Sequence, residues 1–375
     1  MTAGSPRRIA IDARELQGRP TGTGRYLRSL LREWTRATDD RLILYFNGPP
    51  PDDPILGHPR VRVRPVGEHP VRGLLWQELR LPKAVRQDGP HVFFAPAYSC
   101  PLSLDVPRVT TVHDLSFFSH PQDFSLGDAF RRRLLVRASV RASARIIVVS
   151  DFTRRELLFH LPDAEGRVVD VPHGADDDLP PGPPRSQARA RLGVSGPLLL
   201  SVGSIFNRRC LPSLLQALAR LVPAWPALVL DVVGENRTHP RRDLDRLAER
   251  LGLEPHVRFS GFVSDADLAV RYAAADVFIF LSEYEGFGLP ALEAMARGLP
   301  VLTASRPALC DIFGGSAALA EPQDPAGIAA AVHRLLTDAP LRRELADRGR
   351  ALARRHSWAE AAAATRAVLT AAADA

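Results

Sequence analysis

Short apolar runs alternate with amphipathic segments along nearly the whole chain, and this alternation constrains the fold more than any other feature. In a parallel sheet that helices cover on both faces, neither face meets water. Each strand of such a sheet therefore appears in the sequence as a short apolar run. The runs predict strands at residues 9–12, 42–46, 61–63, 92–94, 109–112, 146–149, 168–171, 198–202, 227–233, 257–259, 277–281 and 300–303. The sequence therefore predicts an α/β fold with a doubly wound parallel sheet in each half.

The chain has 375 residues, which is about the length of two ordinary domains. Residues 177–184 read DDLPPGPP, and the four prolines there cannot continue a helix or a central strand. We predict an N-terminal domain over 1–178, a linker over 179–190, a C-terminal domain over 191–356, and a helix over 357–375 that can pack back on the N-terminal domain. Because open parallel sheets bind ligands at the carboxyl ends of their strands, we expect both sheets to face a shared cleft.

Charge and cysteine content exclude several classes of protein. The formal net charge is +7, and Lys83 is the only lysine, so arginine supplies nearly all the basic groups. Arginine contacts phosphate and carboxylate in a bidentate manner, which indicates anionic ligands. The three cysteines have no C-x-x-C spacing, so neither a disulfide framework nor a zinc site is indicated. No apolar run is long enough to cross a membrane, which predicts a cytoplasmic protein.

The most informative motif is SEYEGFGLPALEAMA, at residues 282–296. It leads from a predicted strand through a glycine-rich loop into a helix whose first turn holds Pro290, a position that suits proline. Glu285 in the loop can reach a ligand over the helix N-terminus, and Glu293 can accept hydrogen bonds from neighbouring hydroxyls. The motif therefore predicts a site for a polyol that carries phosphates. A surface loop before an ordinary helix does not explain why Gly-Phe-Gly lies between two acids.

This stretch resembles the E-x7-E signature of retaining glycosyltransferases of family 4, in the longer form E-G-F-G-L-P-x-L-E-A-M-A. The resemblance implies the GT-B fold, with two Rossmann-like domains, the first on the acceptor side and the second binding a nucleotide sugar. It assigns Glu285 to the sugar hydroxyls as a catalytic residue and Glu293 to the ribose. It also implies that Phe287, Gly288 and Leu289 contact the donor.

The segment TGTGRY at residues 21–26 precedes an amphipathic helix and can present backbone amides to a phosphate. It is not a dinucleotide-binding fingerprint, because Leu27 stands where the third glycine belongs. It resembles the G-x-G-R-Y loop of the family, which closes on the donor diphosphate. This resemblance implies donor contacts from Gly22, Thr23 and Gly24 and acceptor-side positions for Arg25 and Tyr26. A helix start capped by threonine is the alternative interpretation.

His113 and Asp114 follow the predicted strand at 109–112. A lone histidine is usually structural, but a strand end beside an acid suits a binding site. The residues resemble the V-H-D-L-S stretch of the family, which implies that His113 hydrogen-bonds a sugar hydroxyl and acts in catalysis. Asp114 is predicted on the acceptor side.

Residues 202–211 lead from a predicted strand into a helix and carry two adjacent arginines. A nucleoside diphosphate gains negative charge as the glycosidic bond breaks, so cations here stabilise the transition state more than the ground state. The resemblance implies donor contacts from Gly203, Ser204, Arg208 and Arg209, with Arg209 also catalytic. The family usually has R-K-N or R-K-G at the helix start, and Arg209 and Cys210 depart from that pattern, which leaves the contact geometry open.

Residues 256–265, HVRFSGFVSD, are similar to the V-x-F-x-G-x-V-x-D strand and turn of the family. The resemblance implies that the backbone around Val263 contacts the nucleobase of the donor.

Arginines cluster at positions 131, 132, 133, 137, 141 and 145, with a spacing of four from Arg133 onward that places them on one helical face. We predict that the Arg131–Arg145 helix makes peripheral contact with an anionic membrane or docks a charged acceptor. A solvated face is the alternative, because Leu134, Leu135 and Val136 form an ordinary buried stripe.

Together with the resemblance, these patterns predict a retaining hexosyltransferase. It would transfer a hexose from a GDP- or UDP-linked donor, with GDP-mannose as the specific prediction, to a glycan, lipid-linked or small-molecule acceptor. We expect no metal and no cofactor beyond the substrate, because arginines and helix N-termini can neutralise the phosphates. A sugar-nucleotide epimerase and a non-catalytic anion or nucleic-acid binder remain alternatives. No nucleic-acid-binding module is recognisable, so we predict no nucleic-acid partner.

Overall fold

A computed structural model of the chain describes residues 6–18, 21–67, 73–175 and 180–375. The strands are β1 Arg8–Asp12, β2 Arg41–Phe46, β3 Val61–Pro65, β4 Val92–Ala95, β5 Arg108–Val112, β6 Arg145–Val148, β7 Val168–Asp170, β8 Leu198–Val202, β9 Val229–Val233, β10 Val257–Phe259, β11 Val277–Phe280, β12 Val301–Ala304 and β13 Ala318–Ala320. All the predicted strands are present. Only β13 was not predicted, because its two alanines and one exposed leucine do not form an apolar run.

The first sheet has the strand order β3-β2-β1-β4-β5-β6-β7, and all its neighbouring strands pair in parallel. Ile9 in β1 lies opposite Leu42 of β2 on one side and Val92 of β4 on the other. The chain winds outward from β1 to β3 and then returns to continue from β4 in the opposite direction. The point between β1 and β4 is therefore the switch point, where open sheets of this kind bind ligands.

The second sheet has the order β10-β9-β8-β11-β12-β13 and is also parallel throughout. Its switch point lies between β8 and β11. Leu199, Leu230, Ile279 and Leu302, each from a different strand, are fully buried in one core cluster. Such a core fixes the strand ends at the switch point, because close-packed side chains leave the backbone little room to move.

Helices connect the parallel strands. They are α1 Gly22–Ala37, α2 Gly73–Leu75, α3 Leu81–Asp88, α4 Ser116–Ser119, α5 Leu126–Ala142, α6 Asp151–His160, α7 Arg185–Leu192, α8 Leu211–Leu221, α9 Leu244–Arg250, α10 Asp265–Ala274, α11 Leu289–Ala296, α12 Pro307–Phe313, α13 Pro325–Thr337, α14 Ala339–Ala353 and α15 Trp358–Ala373. A π-helical turn, Trp76–Arg80, joins α2 to α3. No helix among the described residues is long and apolar enough to cross a bilayer.

The basic helix is shorter than the predicted Arg131–Arg145 helix, and that prediction is wrong at its end. α5 stops at Ala142, and Arg145 instead opens β6, where it lies opposite Val109. The Ser143 hydroxyl donates to the Ser139 carbonyl at 2.7 Å and closes the last turn. Arg145 therefore belongs to the sheet and does not share a helical face with Arg141.

The described residues divide into two compact units. The first unit contains residues 6–118, 127–174 and 358–375, and the second contains residues 119–126 and 175–357. Residues 176–179, at the predicted domain boundary, lie outside the described residues. α7 begins at Arg185, inside the segment predicted as linker, and Pro184 is its N-cap.

The C-terminal helix α15 is an integral part of the first unit. Trp358 is 1% exposed, and its ring centroid lies 6.1 Å from that of Tyr26. The Trp34 indole donates to the Ala362 carbonyl at 2.8 Å, and Arg366 pairs with the buried Asp40 at 2.5 Å. The last helix of the sequence thereby stabilises the beginning of the chain.

Replacing Trp358 by alanine should lower the free energy of unfolding of the first unit by about 3–5 kcal/mol, because it removes a fully buried ring and leaves a cavity. The exposed Phe159→Ala should change it by less than about 0.5 kcal/mol. Urea denaturation of both variants measures the difference. Equal, small effects would show that α15 does not stabilise the unit.

Candidate active site

Two loops meet at the switch point of the second sheet. The first, residues 203–209, follows β8, and the second, residues 282–288, follows β11. The backbone amide of Glu283 donates to the carbonyl of Arg208 at 2.8 Å, so the loops are hydrogen-bonded to each other. Two motifs far apart in the sequence therefore form one structure at the strand ends, where doubly wound sheets bind ligands.

Arg209 and Glu285, both predicted as catalytic, form an ion pair at this point. Arg209 Nε lies 3.0 Å from Glu285 Oε1, and the two side chains are 16% and 13% exposed. The Ser282 hydroxyl donates to the same Oε1 at 2.8 Å, and the guanidinium lies over the Phe280 ring at 4.2 Å from its centroid. The Nε atom still makes no hydrogen bond of its own, because the pair is not aligned for one.

The positive charge at this point is only partly neutralised. Burial lowers the pKa of Arg209, Glu285 acts against that shift, and the adjacent Arg208 adds to it. Arg208 is 7% exposed, and its Nε and Nη1 atoms are buried without a hydrogen bond. Since arginine stays protonated, two buried guanidinium groups with unsatisfied N–H donors form a site ready to bind an anion.

Asp123 is the acid that faces Arg208. Burial raises the pKa of Asp123, and Arg208 opposes this shift both by its charge and through a backbone hydrogen bond. Burial of this carboxyl therefore disfavours its charged form, while the neighbouring guanidinium favours it. Asp123 could not be predicted from the sequence, because no motif surrounds it and it lies far from Arg208 along the chain.

Backbone conformation explains several residue types in these loops. Gly203 has φ +124°, and its carbonyl oxygen would lie 2.1 Å from a Cβ placed on Gly234, so the two strand ends cross too closely for side chains. Gly288 has φ +99°, and a Cβ there would lie 3.0 Å from Phe313. Cys210 has φ +50°, which explains why asparagine or glycine suits this position better.

The other predicted donor residues of the second unit occupy varied environments. Glu293 is 8% exposed, and its Oε2 accepts a hydrogen bond from the Tyr272 hydroxyl at 3.1 Å. Phe287 is buried against the His356 ring, with centroids 5.8 Å apart. The half-buried residues are Ser204 in the loop after β8, Val263 in the loop before α10, and Leu289 at the start of α11. Their predicted contacts with a donor stay predictions.

In the first unit, His113 lies in a cage of aromatic rings. Its Nε2 lies 2.7 Å from the Pro96 carbonyl oxygen, so Nε2 carries the proton, and its Nδ1 lies 3.4 Å from Nε2 of His173. The His173 ring stacks on it at 5.4 Å, and Tyr26 packs edge-on at 5.0 Å. Burial lowers the pKa of His113, which keeps the ring neutral near pH 7.

The residues predicted on the acceptor side lie in the first unit, where Asp114 and Tyr26 form hydrogen bonds. Asp114 accepts hydrogen bonds from the Tyr98 hydroxyl at 3.0 Å and from the Ser116 amide at 2.9 Å. Tyr26 is 1% exposed, its hydroxyl lies 3.2 Å from Thr111 Oγ1, and burial raises its pKa to about 12. Arg25 is half-buried in the first turn of α1.

The glycine-rich segment predicted as a phosphate loop forms the first turn of α1. The helix begins at Gly22, and Thr21 Oγ1 caps it by accepting from the Gly24 amide at 3.0 Å. Gly24 is needed because a Cβ there would lie 2.4 Å from the Glu15 carbonyl oxygen. The amides of Gly22 and Thr23 remain at the open end of the helix, where backbone donors lack an intrahelical partner.

The buried neutral His113 predicts a pH dependence of stability. The unfolded chain binds a proton at histidine near pH 6.5, above the pKa of folded His113, so stability falls as pH drops below about 6.5. Denaturant titrations from about pH 7.5 to about pH 5 should show a smaller loss for His113→Gln than for the wild type. Identical slopes would mean that His113 is not buried in its neutral form.

Known sequence families match both units. The profile of Glycosyltransferase Family 4 matches residues 20–179, and that of Glycosyl transferases group 1 matches residues 185–352. Within the described residues, no group of three or more His, Cys, Asp or Glu side chains is arranged to hold a metal ion.

Three known proteins illustrate the similarity. The chain is 31% identical over 282 residues to O-antigen chain mannosyltransferase B of Escherichia coli, with 73% of each chain covered. It is 37% identical over 290 residues to D-inositol 3-phosphate glycosyltransferase of Geodermatophilus obscurus, covering 72% of this chain and 62% of that protein. Sucrose-phosphate synthase from Thermosynechococcus elongatus superposes with a TM-score of 0.80 at 23% identity, over 96% of this chain and 98% of that one.

These comparisons confirm the predicted family and fold class, two Rossmann-like parallel-sheet domains of the GT-B type. The chain belongs to the family 4 glycosyltransferases, within the glycosyl transferases group 1.

Proposed function

We propose that the chain is a retaining hexosyltransferase whose nucleotide-sugar donor binds at the switch point of the second sheet. The observation that carries this proposal is the buried Arg208, whose Nε and Nη1 atoms make no hydrogen bond, beside the ion-paired Arg209. Leaving such donors unsatisfied costs free energy, and a diphosphate satisfies them in a bidentate manner. Family membership makes a nucleotide sugar the expected source of that diphosphate.

In the proposed reaction the glycosidic C–O bond to the β-phosphate breaks while the acceptor oxygen bonds to the same carbon. The acceptor proton passes to the departing phosphate oxygen. Arg208 and Arg209 act on the charge that develops on this phosphate, in a site already oriented for it. Glu285, which accepts from Ser282 and pairs with Arg209, suits hydrogen bonds to the sugar hydroxyls better than nucleophilic attack. This division of roles supports attack from the leaving-group face, and therefore retention.

The donor is proposed to be GDP-mannose. The support comes from the similarity to a protein named as a mannosyltransferase. The similarity to a protein named as a D-inositol 3-phosphate glycosyltransferase indicates that relatives with comparable identity differ in substrate. A UDP-linked hexose, the other donor predicted from the sequence, is therefore the second candidate. Because two guanidinium groups supply positive charge at the diphosphate, we also propose that transfer needs no metal ion.

The proposal predicts hexose transfer from GDP-mannose, in the presence of EDTA, to an acceptor found by screening. Arg208→Ala should lower kcat/KM at least about 100-fold, because it removes donors aimed at the leaving phosphate. Arg246→Ala, an exposed arginine of α9, is the matched control and should retain full activity. Sugar release or transfer is measured with GDP- and UDP-linked donors in parallel. Unchanged turnover in Arg208→Ala, or equal losses in both variants, would contradict the assignment.

One face of α5 supports the proposed peripheral contact with an anionic membrane. Phe130 and Leu134 are 64% and 50% exposed, and they lie four residues apart. The exposed Arg137 and Arg141 follow at helical spacing on the same face. An apolar stripe beside arginines is typical of a helix lying in a lipid interface. The cytoplasmic location predicted from the sequence stays a prediction.

Vesicle co-sedimentation tests this contact. The chain should bind vesicles containing phosphatidylglycerol and not vesicles of phosphatidylcholine alone, because the basic face contacts negative headgroups. Exchanging Phe130 and Leu134 for aspartate should abolish binding, while Leu319→Asp, which changes an exposed leucine on β13, should not. Binding that survives the double exchange would contradict a role for this face.

A further inference from the structure

Four buried polar atoms without a hydrogen bond belong to one group of neighbouring side chains in the second unit. Two are the Nε and Nη1 atoms of Arg208, and the others are Oδ2 of Asp123 and Nδ1 of His120. Arg208 and Asp123 are 7% and 9% exposed. An unsatisfied buried donor or acceptor costs free energy, so such atoms mark a place that a ligand completes. The proposed diphosphate satisfies the arginine donors but offers no donor to Asp123.

Asp123 is held beside both loops of the proposed donor site. It lies in residues 119–126, which belong to the second unit, and its amide donates to the His120 carbonyl at 3.1 Å. The His120 ring packs on that of Tyr284, in the loop after β11, with centroids 5.0 Å apart. A backbone hydrogen bond joins the Asp123 carboxylate to Arg208, in the loop after β8. One carboxylate oxygen is therefore anchored, and Oδ2 remains for a ligand.

The chemistry of the group that could fill this place is restricted. The charge of Arg208 acts on Asp123, yet Asp123 Oδ2 accepts no hydrogen bond from it. A group between them must accept from the guanidinium and donate to the carboxylate. A fully ionised phosphate oxygen only accepts, and its charge repels that of the carboxylate. A phosphate oxygen that carries a proton can do both, so Asp123 is complementary to a protonated leaving group.

We propose that Asp123 is the final acceptor of the proton that the acceptor hydroxyl loses, and that it receives this proton through the leaving phosphate. The inference rests on the proposed glycosyl transfer and extends its last step. As the glycosidic bond breaks, its electron pair stays on the phosphate oxygen, which takes the proton while the acceptor oxygen bonds to the sugar carbon. The phosphate hydroxyl then donates to Asp123 Oδ2 and passes the proton on. The carboxyl becomes neutral, and it returns the proton to water after the ionised diphosphate leaves.

This interaction forms only as the reaction proceeds. The donor diphosphate carries no transferable proton before the bond breaks, so Asp123 contributes nothing to donor binding. It stabilises the state in which the proton has reached the phosphate, and an interaction of that kind raises kcat without lowering KM. Asp123 must be ionised at the start of each turnover to play this role.

The surroundings of Asp123 adjust its affinity for a proton. Burial raises the pKa of Asp123, while Arg208 and His120 oppose this shift and Glu283 adds to it. A carboxylate with a raised pKa is a better acceptor for a phosphate hydroxyl, because proton transfer is most efficient when the two groups are matched.

Steady-state kinetics of Asp123→Asn tests the proposal. Asparagine keeps the shape of the side chain and an oxygen that can accept from the Arg208 backbone, but it cannot take up a proton. Its kcat should fall at least about 100-fold, as expected for the loss of a positioned proton acceptor. Its KM for the donor should stay within about threefold of the wild-type value. Asp245→Asn, which changes an exposed acid of α9 in the same unit, is the matched control and should change neither constant.

The pH profile assigns the effect to one group. The wild-type kcat should fall as pH drops, because Asp123 loses its charge, and the midpoint should lie above the ordinary carboxyl value of about 3.9. This acid limb should be absent from Asp123→Asn and present in His120→Gln and Asp245→Asn. A limb that persists in Asp123→Asn, or that disappears only in His120→Gln, would overturn the proposal. So would a wild-type profile without an acid limb, a result that requires no variant to fold.

Chemical rescue distinguishes proton transfer from a merely structural role. Asp123→Ala leaves a space that formate can enter, and formate should raise its kcat at least about tenfold by replacing the lost carboxylate. Formamide, which is neutral and of similar size, should not. Equal effects of the two molecules would mean that Asp123 only fills space.

Titration with GDP and UDP separates this proposal from the proposed function. The Asp123 variants should bind nucleotide as the wild type does, because they retain Arg208. If the wild type transfers sugar and Asp123→Asn keeps the wild-type kcat, the role of Asp123 is wrong while the donor site stands. If neither nucleotide binds to the wild type, the proposed function itself fails.

Discussion

Two adjacent buried guanidinium groups lie at the end of β8, with Arg209 paired to Glu285 and Arg208 near Asp123, and the proposed chemistry depends on the N–H donors that they leave unsatisfied. Glu285 lies 3.0 Å from Arg209, whereas Arg208 keeps two buried nitrogens without a hydrogen bond. Burying a charge without full compensation is costly, so such an arrangement persists where the rest of the unit stabilises it. The fully buried core around β8 and β11 provides that stability in the second unit.

The two sheets present different side chains at the same topological position. At the β8–β11 switch point the side chains are mainly cationic, which suits a diphosphate. At the β1–β4 switch point acids, arginines and aromatic rings line one cavity. Helix α5 has two faces, since Arg131 and Arg132 line the cavity while Phe130 and Leu134 are exposed.

The sequence predicted most of the fold because buried parallel strands produce local apolar runs, as at Leu198–Val202, whose predicted bounds match the structure. It also indicated Arg208, Arg209 and Glu285, since each lies in a compact motif, and the structure brings these residues together. It did not indicate Asp123, because its position near Arg208 arises only on folding. In the same way, Gly24 reads as a phosphate-loop glycine in the sequence, while the structure shows that close packing against the Glu15 carbonyl requires it.

The central claim is that a nucleoside diphosphate is held by the arginine pair at the β8–β11 switch point. A crystal structure of the chain with bound GDP or UDP tests it most directly. The account predicts diphosphate oxygens within hydrogen-bond distance of the Arg208 Nε and Nη1 atoms and of the Arg209 guanidinium. A nucleotide bound elsewhere, with those nitrogens still unsatisfied, would contradict it.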